Sequence, residues 1–239
     1  MYILAIETTG PHCSAAIIDE DGKIVSIRSE ERLNHLKILT PMINSLIKEN
    51  NLTMDQIDAV AASEGPGSFT GIRIGVSTAR AISQIKTIPC IAVPTLYAFS
   101  QGQEISEEDI LVCAILDARR KQVYGDGCIN KEEVIKGAPF IIGEFMEEVL
   151  KVYKEKNLKQ VVFVGDGVKT CGEDILAFAE ANNINVELHE IYQYAEGVAK
   201  IALEMYKKGQ TVDYNHFEPN YMRKAEAQRK LEERLAMNK

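Results

Sequence analysis

The side chains best placed to do chemistry fall in one stretch, residues 63–75, which reads S-E-G-P-G-S-F-T-G-I-R-I-G. Gly65 and Gly67 can take positive φ or admit another backbone closely, and Pro66 between them is held near about −65°. Ser68 and Thr70 stand where a helix N-cap is expected, so free amides of a first helical turn would face an anion such as a phosphate. The spacing matches neither G-x-x-x-x-G-K-[ST] nor G-x-G-x-x-G, which leaves a phosphate cradle and a plain strand-to-helix turn both open.

Other chemistries find less support. His12, His35, His189 and His216 each stand alone, without a second His or Cys three or four residues away, so no metal site is expected. The string G-S-F-T-G puts Thr where a nucleophile elbow would need a different register, which argues against a serine hydrolase. The first hairpin tip, Thr8-Thr9-Gly10-Pro11-His12, has no Asp or Lys to organise magnesium or phosphate. Catalysis by this chain alone is therefore not expected. A net charge of −8 and a pI near 5.2 disfavour nucleic-acid binding by the chain unaided. The five cysteines are scattered, mostly in apolar runs, and read as reduced buried thiols. No apolar run approaches the length of a membrane span, and no basic leader opens the sequence, so a cytoplasmic protein is expected.

The elements that must position the glycine stretch follow from periodicity. Residues 2–7, 13–20 and 23–30 read as an antiparallel meander joined by T-T-G-P-H and D-E-D-G. Leu36, Leu39, Ile43 and Leu46 make a helical stripe. A strand at 57–63, the glycine turn, a helix at 70–85 and a strand at 90–93 complete a first lobe. After a polar connector at 101–109 the pattern recurs: strands at 110–116, 122–128 and 133–136, a helix at 143–155, a strand at 161–164, a G-D-G turn, a helix at 172–181 and a strand at 186–188. A helix at 194–207 is placed to pack back across the lobes, and 224–234 reads as a charged, solvated helix. The expected domains are an N-terminal lobe, 1–100, and a C-terminal lobe with the last helix and tail, 101–239. Each lobe is a mixed sheet flanked by helices, an α/β class. In the second helix Gly71, Gly75, Ser77, Ala79 and Ala81 are small, which suits either close packing on its own sheet or acceptance of another chain.

The strings I-E-T-T at 6–9, E-G-P-G-S-F-T-G-I-R-I-G at 64–75, L-D-A-R-R-K-Q-V-Y at 116–124, G-D-G at 165–167 and P-N-Y-M-R at 219–223 together resemble the TsaB (YeaZ) family over nearly the whole chain. The resemblance implies a two-lobed ASKHA fold, of the actin, sugar-kinase and ribonuclease H type. It also implies a non-catalytic dimerisation role in placing threonylcarbamoyl on N6 of adenosine 37 in tRNAs that read codons starting with A. It implies a TsaD-like catalytic partner and a TsaE-like ATPase, with ATP, magnesium and a metal on those partners, none on this chain alone, and tRNA met only through the complex. Thr95 and Phe99 stand where the TsaD-like relative carries its two metal-binding histidines. By the same resemblance the partner surface falls on Leu36, Leu39, Ile43, Leu46, Ile74, Ser77, Arg80 and Ala81. A nucleotide site shared with partners would lie near Gly65, Gly67, Ser68, Asp117, Arg119 and Gly165. Two alternatives stay open on the sequence: a free-standing ATP-dependent enzyme or metallopeptidase, and a homodimeric interaction protein.

Overall fold

The computed structural model describes residues 1–103, 105 and 107–223, and the charged segment expected at 224–234 lies outside the described residues. Strands β1 (Tyr2–Glu7), β2 (Ser14–Asp19) and β3 (Ile24–Arg28) form the meander. Its second turn closes because Gly22 takes a φ of +86° and the Asp19 carboxylate accepts from the amides of Asp21 (3.0 Å) and Lys23 (2.9 Å). Helix α1 (His35–Glu49) follows, then β4 (Ala59–Gly65), helix α2 (Phe69–Lys86) and β5 (Cys90–Pro94). β4 runs parallel to β1 and β5 parallel to β4, giving the order β3-β2-β1-β4-β5.

The second lobe repeats this plan. A short helix α3 (Thr95–Gln101) leads to β6 (Ile110–Asp117), β7 (Gln122–Ile129) and β8 (Glu132–Ile141), then helix α4 (Ile142–Glu155), β9 (Gln160–Val164), helix α5 (Gly167–Asn182) and β10 (Val186–His189). Its sheet order is β10-β9-β6-β7-β8, so β6 to β10 take the places of β1 to β5. Helix α6 (Ala195–Lys207) closes the described architecture. Its Val198, Ile201 and Ala202 join Ile3, Ala5, Ala16 and Ile18 on one face of the first sheet. The opposite face, with Leu4, Ile6, Ala15 and Ile17, packs beneath α1 and α2. With both faces covered, β1 and β4 read as continuous apolar runs rather than alternating ones.

Three elements depart from the sequence reading. α3 had no counterpart in it; Pro94 ends β5 and occupies the N-cap position of this helix, whose Leu96 and Phe99 pack on β6 and β9. β8 runs on to Ile141 through Pro139, as an edge strand allows. α5 starts at Gly167, directly on the G-D-G turn, not at 172.

The expected partner stripe on α1 is also corrected. Leu39, Ile43 and Leu46 are buried in the chain's own core against the first sheet, and only Leu36 of that stripe is exposed, at 81%. A period of 3.6 marks an apolar face without telling which body covers it.

Asp126 on β7 is fully buried beneath α3, where its carboxyl accepts from the Ser100 hydroxyl (3.1 Å) and the Ala114 amide (3.2 Å). Burial pushes its pKa up from 3.8 to about 8, against the lowering effect of those two hydrogen bonds. The folded chain therefore holds a proton that the unfolded chain releases near 3.8, and stability falls as pH rises through that window. Asp126→Asn is expected to flatten the difference in Tm between about pH 5 and pH 8 and to raise Tm at the upper end by several degrees. Parallel pH profiles for parent and variant in thermal melts would show that this carboxyl ionises without cost.

Candidate functional site: the interlobe cleft and the α1–α2 face

The glycine stretch forms the strand-turn-helix expected of it, but what it binds is the chain's own first hairpin. Gly67 has a φ of +153°, and a Cβ there would stand 2.6 Å from Thr9 Cβ and 2.8 Å from the Thr9 carbonyl oxygen. The Ser68 amide donates to that same carbonyl (2.8 Å), and Ser68 Oγ caps α2 by accepting from the Gly71 amide (3.3 Å). One turn on, the Thr8 hydroxyl donates to the Gly71 carbonyl (2.7 Å). A methyl on Gly71 would overlap the Thr8 carbonyl, and one on Gly75 would lie 2.5 Å from Thr8 Oγ1. Of the small residues of α2, which the sequence left open between the chain's own sheet and another chain, Gly71, Gly75 and Ala79 thus face inward, while Ser77 and Ala81 remain exposed.

Glu7, which sequence reasoning passed over, anchors the hairpin from beneath. It is 1% exposed; its Oε1 accepts from the Thr9 amide (2.5 Å) and the Thr9 hydroxyl (2.6 Å), and its Oε2 meets the Ser63 hydroxyl. Burial raises its pKa, partly offset by those hydrogen bonds. A glutamate at a strand end reads as an exposed residue, and the only signal to the contrary was the pair of hydroxyl residues that follow it.

Between the lobes lies a cleft of about 650 Å³, walled by Thr9, Gly67, Ser68 and Arg73 on one side and Asp117 and Arg119 on the other. Asp117 Oδ1 accepts from the Arg119 amide (2.7 Å), and Asp166 Oδ1 accepts from the Asp117 amide (2.9 Å). Burial raises the pKa of Asp166. Arg119, Arg120 and Lys121 all take left-handed φ, at 65°, 56° and 56°, in the loop from β6 to β7. Of the six residues expected near a shared nucleotide, the fold brings Gly67, Ser68, Asp117 and Arg119 to this cleft. Gly65 and Gly165 do not line it: Gly65 lies under the Asn220 backbone, and Gly165 against the Ile115 carbonyl.

Residues 217–223 strap the two lobes. The Asn220 amide donates to the Glu64 carbonyl (2.8 Å), the Tyr221 ring stacks on Phe69 at 4.5 Å, Arg73 Nε donates to the Tyr221 hydroxyl (2.8 Å), and Arg223 donates to the Ala118 carbonyl (2.9 Å).

The magnesium-phosphate group that such a two-lobed cleft implies does not fit these residues. The hairpin's carboxylate is turned inward to Thr9 and Ser63, the Ser68 amide is engaged by Thr9, and Asp117 and Asp166 hold backbone amides. Among the described residues no three His, Cys, Asp or Glu side chains gather as a metal site. Thr95 and Phe99 are both buried.

A second feature is an apolar groove of about 640 Å³ where the start of α1 meets the start of α2, lined by Leu33, Leu36, Thr70 and Ile74 among others. Leu33 is 75% exposed, and Ile85 at the far end of α2 is 80% exposed. Ser77 and Ala81 lie exposed along α2 between them, with Arg80 half-buried.

Residues 29–231 match the family model described as TsaD, tRNA N6-adenosine threonylcarbamoyltransferase. The tRNA threonylcarbamoyladenosine biosynthesis protein TsaB of Escherichia coli is 30% identical over 236 residues, covering 97% of this chain and 98% of that protein. The chain belongs to the TsaB (YeaZ) family. TsaB of Bacillus subtilis is 28% identical over 96% of this chain and 97% of its own length. YeaZ from Pseudomonas aeruginosa superposes with a TM-score of 0.69 at 21% identity, over 92% of this chain and 100% of that one. A candidate N-acetylmannosamine kinase from Listeria monocytogenes reaches a TM-score of 0.50 at 10% identity, over 88% and 100%. The TsaB-family chain thus has the two-lobed ASKHA fold, with its G-P-G-S-F-T-G string seated on its own first hairpin.

Gly71→Ala, which drives a methyl into Thr8, is expected to lower stability by about 1–3 kcal/mol in urea unfolding, and Gly67→Val by at least as much. Gly143→Ala on α4, with nothing within 4 Å of the added carbon, is expected to be neutral or stabilising by about 0.4–1 kcal/mol. Equal responses at positions 71 and 143 would mean that the hairpin is not seated on the turn.

Proposed function

We propose that this chain serves tRNA threonylcarbamoyladenosine biosynthesis in the cytoplasm as a non-catalytic subunit. It pairs through the exposed α1–α2 face with a TsaD-like catalytic chain, which a TsaE-like ATPase joins. The observation that carries this reading is the row Leu33, Leu36, Ile74, Ile85, an apolar ridge whose centre is kept small by Ser77 and Ala81. Such a ridge accommodates another helix pair at close range, and stable pairs rest on a small central cluster of this kind. The buried Glu7 and the inward glycine turn support a subunit that leaves threonylcarbamoyl transfer, nucleotide, magnesium and metal to its partners. Its net charge of −8 fits contact with tRNA through the assembled complex. No helix among the described residues is long and apolar enough to cross a membrane.

Ser77→Glu tests the surface, because the parent side chain is exposed and its replacement needs no change in the chain's own core. The isolated variant is expected to melt like the parent, while affinity for the TsaD-like partner falls roughly a hundredfold and modified adenosine is lost. Ile43→Glu is expected to unfold the subunit itself, since Ile43 is 3% exposed. Co-purification of Ser77→Glu with the partner at parental yield would place the interface elsewhere.

Purified alone, the chain is expected to hold no stoichiometric zinc or iron and to release no phosphate from ATP, by elemental analysis and a phosphate-release assay. One tightly bound metal per chain, or turnover that survives further purification, would overturn the non-catalytic reading.

A further inference from the structure

The chain passes between the lobes where β5 runs into α3 and again where β10 leads to α6, and the strap is a third crossing among the described residues. Its first part belongs to the first lobe. Val212 and Cys90 of β5 exchange backbone hydrogen bonds (2.9 Å each way), Phe217 is fully buried in the core beneath α1 and α2, and the Asn220 amide holds the Glu64 carbonyl. Gly65 is the seat, for a Cβ there would stand 2.3 Å from the Asn220 carbonyl oxygen. Tyr221 then lies flat on Phe69, with ring planes 5° apart, and its hydroxyl accepts from Arg73.

The second part belongs to the second lobe. Met222 packs on the cluster of Leu96, Phe99, Leu116 and Val164, and Arg223 donates to the Ala118 carbonyl with its guanidinium 5.4 Å from the Tyr124 ring centre. Phe69, Arg73, Ala118 and Tyr124 all line the interlobe cleft, two on each wall. Tyr221 and Arg223 are two residues apart, so no more than about 7 Å of extended chain joins the walls. The cleft cannot widen while both ends of the strap hold.

The two ends are fastened unequally. Backbone pairing, a buried aromatic ring and a stacked pair fix the first-lobe end, whereas the second-lobe end rests on the Arg223 hydrogen bond, its contact with Tyr124 and the half-buried Met222. Folded chains open first where buried apolar contacts are few and hydrogen bonds lie near solvent. We propose that residues 220–223 are a latch on the interlobe cleft. It stays with the first lobe and lets go of the second, and the lobes then hinge about the β5–α3 and β10–α6 connections. Access to the cleft of about 650 Å³ is thereby gated by Met222 and Arg223. This inference concerns the chain alone and does not rest on the partner surface.

The test places nitroxide spin labels on the full chain at Asn44→Cys on α1 and Glu147→Cys on α4, both exposed and on different lobes. The five native cysteines are buried, and the unsubstituted chain treated alike gives the background. Pulsed electron spin resonance reads the distance between the labels, and a single narrow peak is expected with Arg223 in place. Arg223→Ala is expected to add a second peak, longer by more than about 4 Å, or one Cα–Cα step, while Tm falls by only a few degrees. That peak is expected to hold roughly a tenth or more of the molecules. Arg223→Lys, which keeps a cation and a donor, is expected to return most molecules to the first peak. Should Arg223→Ala fail to fold, Met222→Ala takes its place with the same expectation. One narrow peak in both parent and variant would mean that α3 and α6 alone hold the lobes, and a parent as broad as the variant would mean that nothing is latched; either result overturns the proposal.

Discussion

The close approach of Thr8 and Thr9 to the glycines at 67, 71 and 75 is the contact on which the rest of this structure depends. Three missing side chains at a strand-to-helix turn let the hairpin lie directly on the first two turns of α2. The contact is sealed by the Ser68 amide on the Thr9 carbonyl and the Thr8 hydroxyl on the Gly71 carbonyl. Glu7 beneath gathers Thr9 and Ser63, so β1, the first hairpin loop and β4 meet at one buried carboxyl. With the hairpin fixed in this way, α1 and α2 are held on one face of the sheet and the cleft wall is set.

The same contact explains why a cleft built like that of a nucleotide-binding fold is poor in the groups such a ligand needs. Amides at the start of α2 that would face a phosphate are turned in part to the hairpin, and the carboxylate on β1 is buried beneath it. The strap at 217–223 adds to this. Stacking of Tyr221 on Phe69 and the Arg223 bond to Ala118 tie the turn of the first lobe to the β6–β7 loop of the second. The cleft is thus a tied seam between lobes, with Arg73 and Arg119 at its walls.

Much of the candidate site was legible before the structure, and the exceptions have identifiable causes. Gly67, Ser68, Asp117 and Arg119, named from the family resemblance, meet at the cleft because each stands at or just beyond a strand end of its lobe. Gly65 and Gly165, read with them, turned out to serve backbone contacts with Asn220 and Ile115, since glycine spacing alone does not tell a ligand from a neighbouring chain segment. Leu39, Ile43 and Leu46 were assigned to a partner when they cover the chain's own sheet, and Leu33 and Ile85, which lie open, were not named. Glu7 was passed over, since its burial depends on Ser63 of β4, 56 residues away, and not on its neighbours in the chain.

By itself the sequence determined the two-lobed α/β plan, the order of the strands and of every described helix but α3, the capped glycine turn and the family, because each rests on local periodicity, turn chemistry or a contiguous string. The tertiary structure alone decided which apolar face is core and which is free, what fills the glycine notches, and how α6 covers the first sheet rather than the second. It also decided the protonation of Asp126, whose pKa near 8 follows from complete burial among β6, β7 and α3. The physical reason is common to all of these. Burial and hydrogen-bond partnership are properties of segments far apart in the chain, such as those of Glu7 and Ser63, and no local pattern records which distant atom will occupy the space beside a residue.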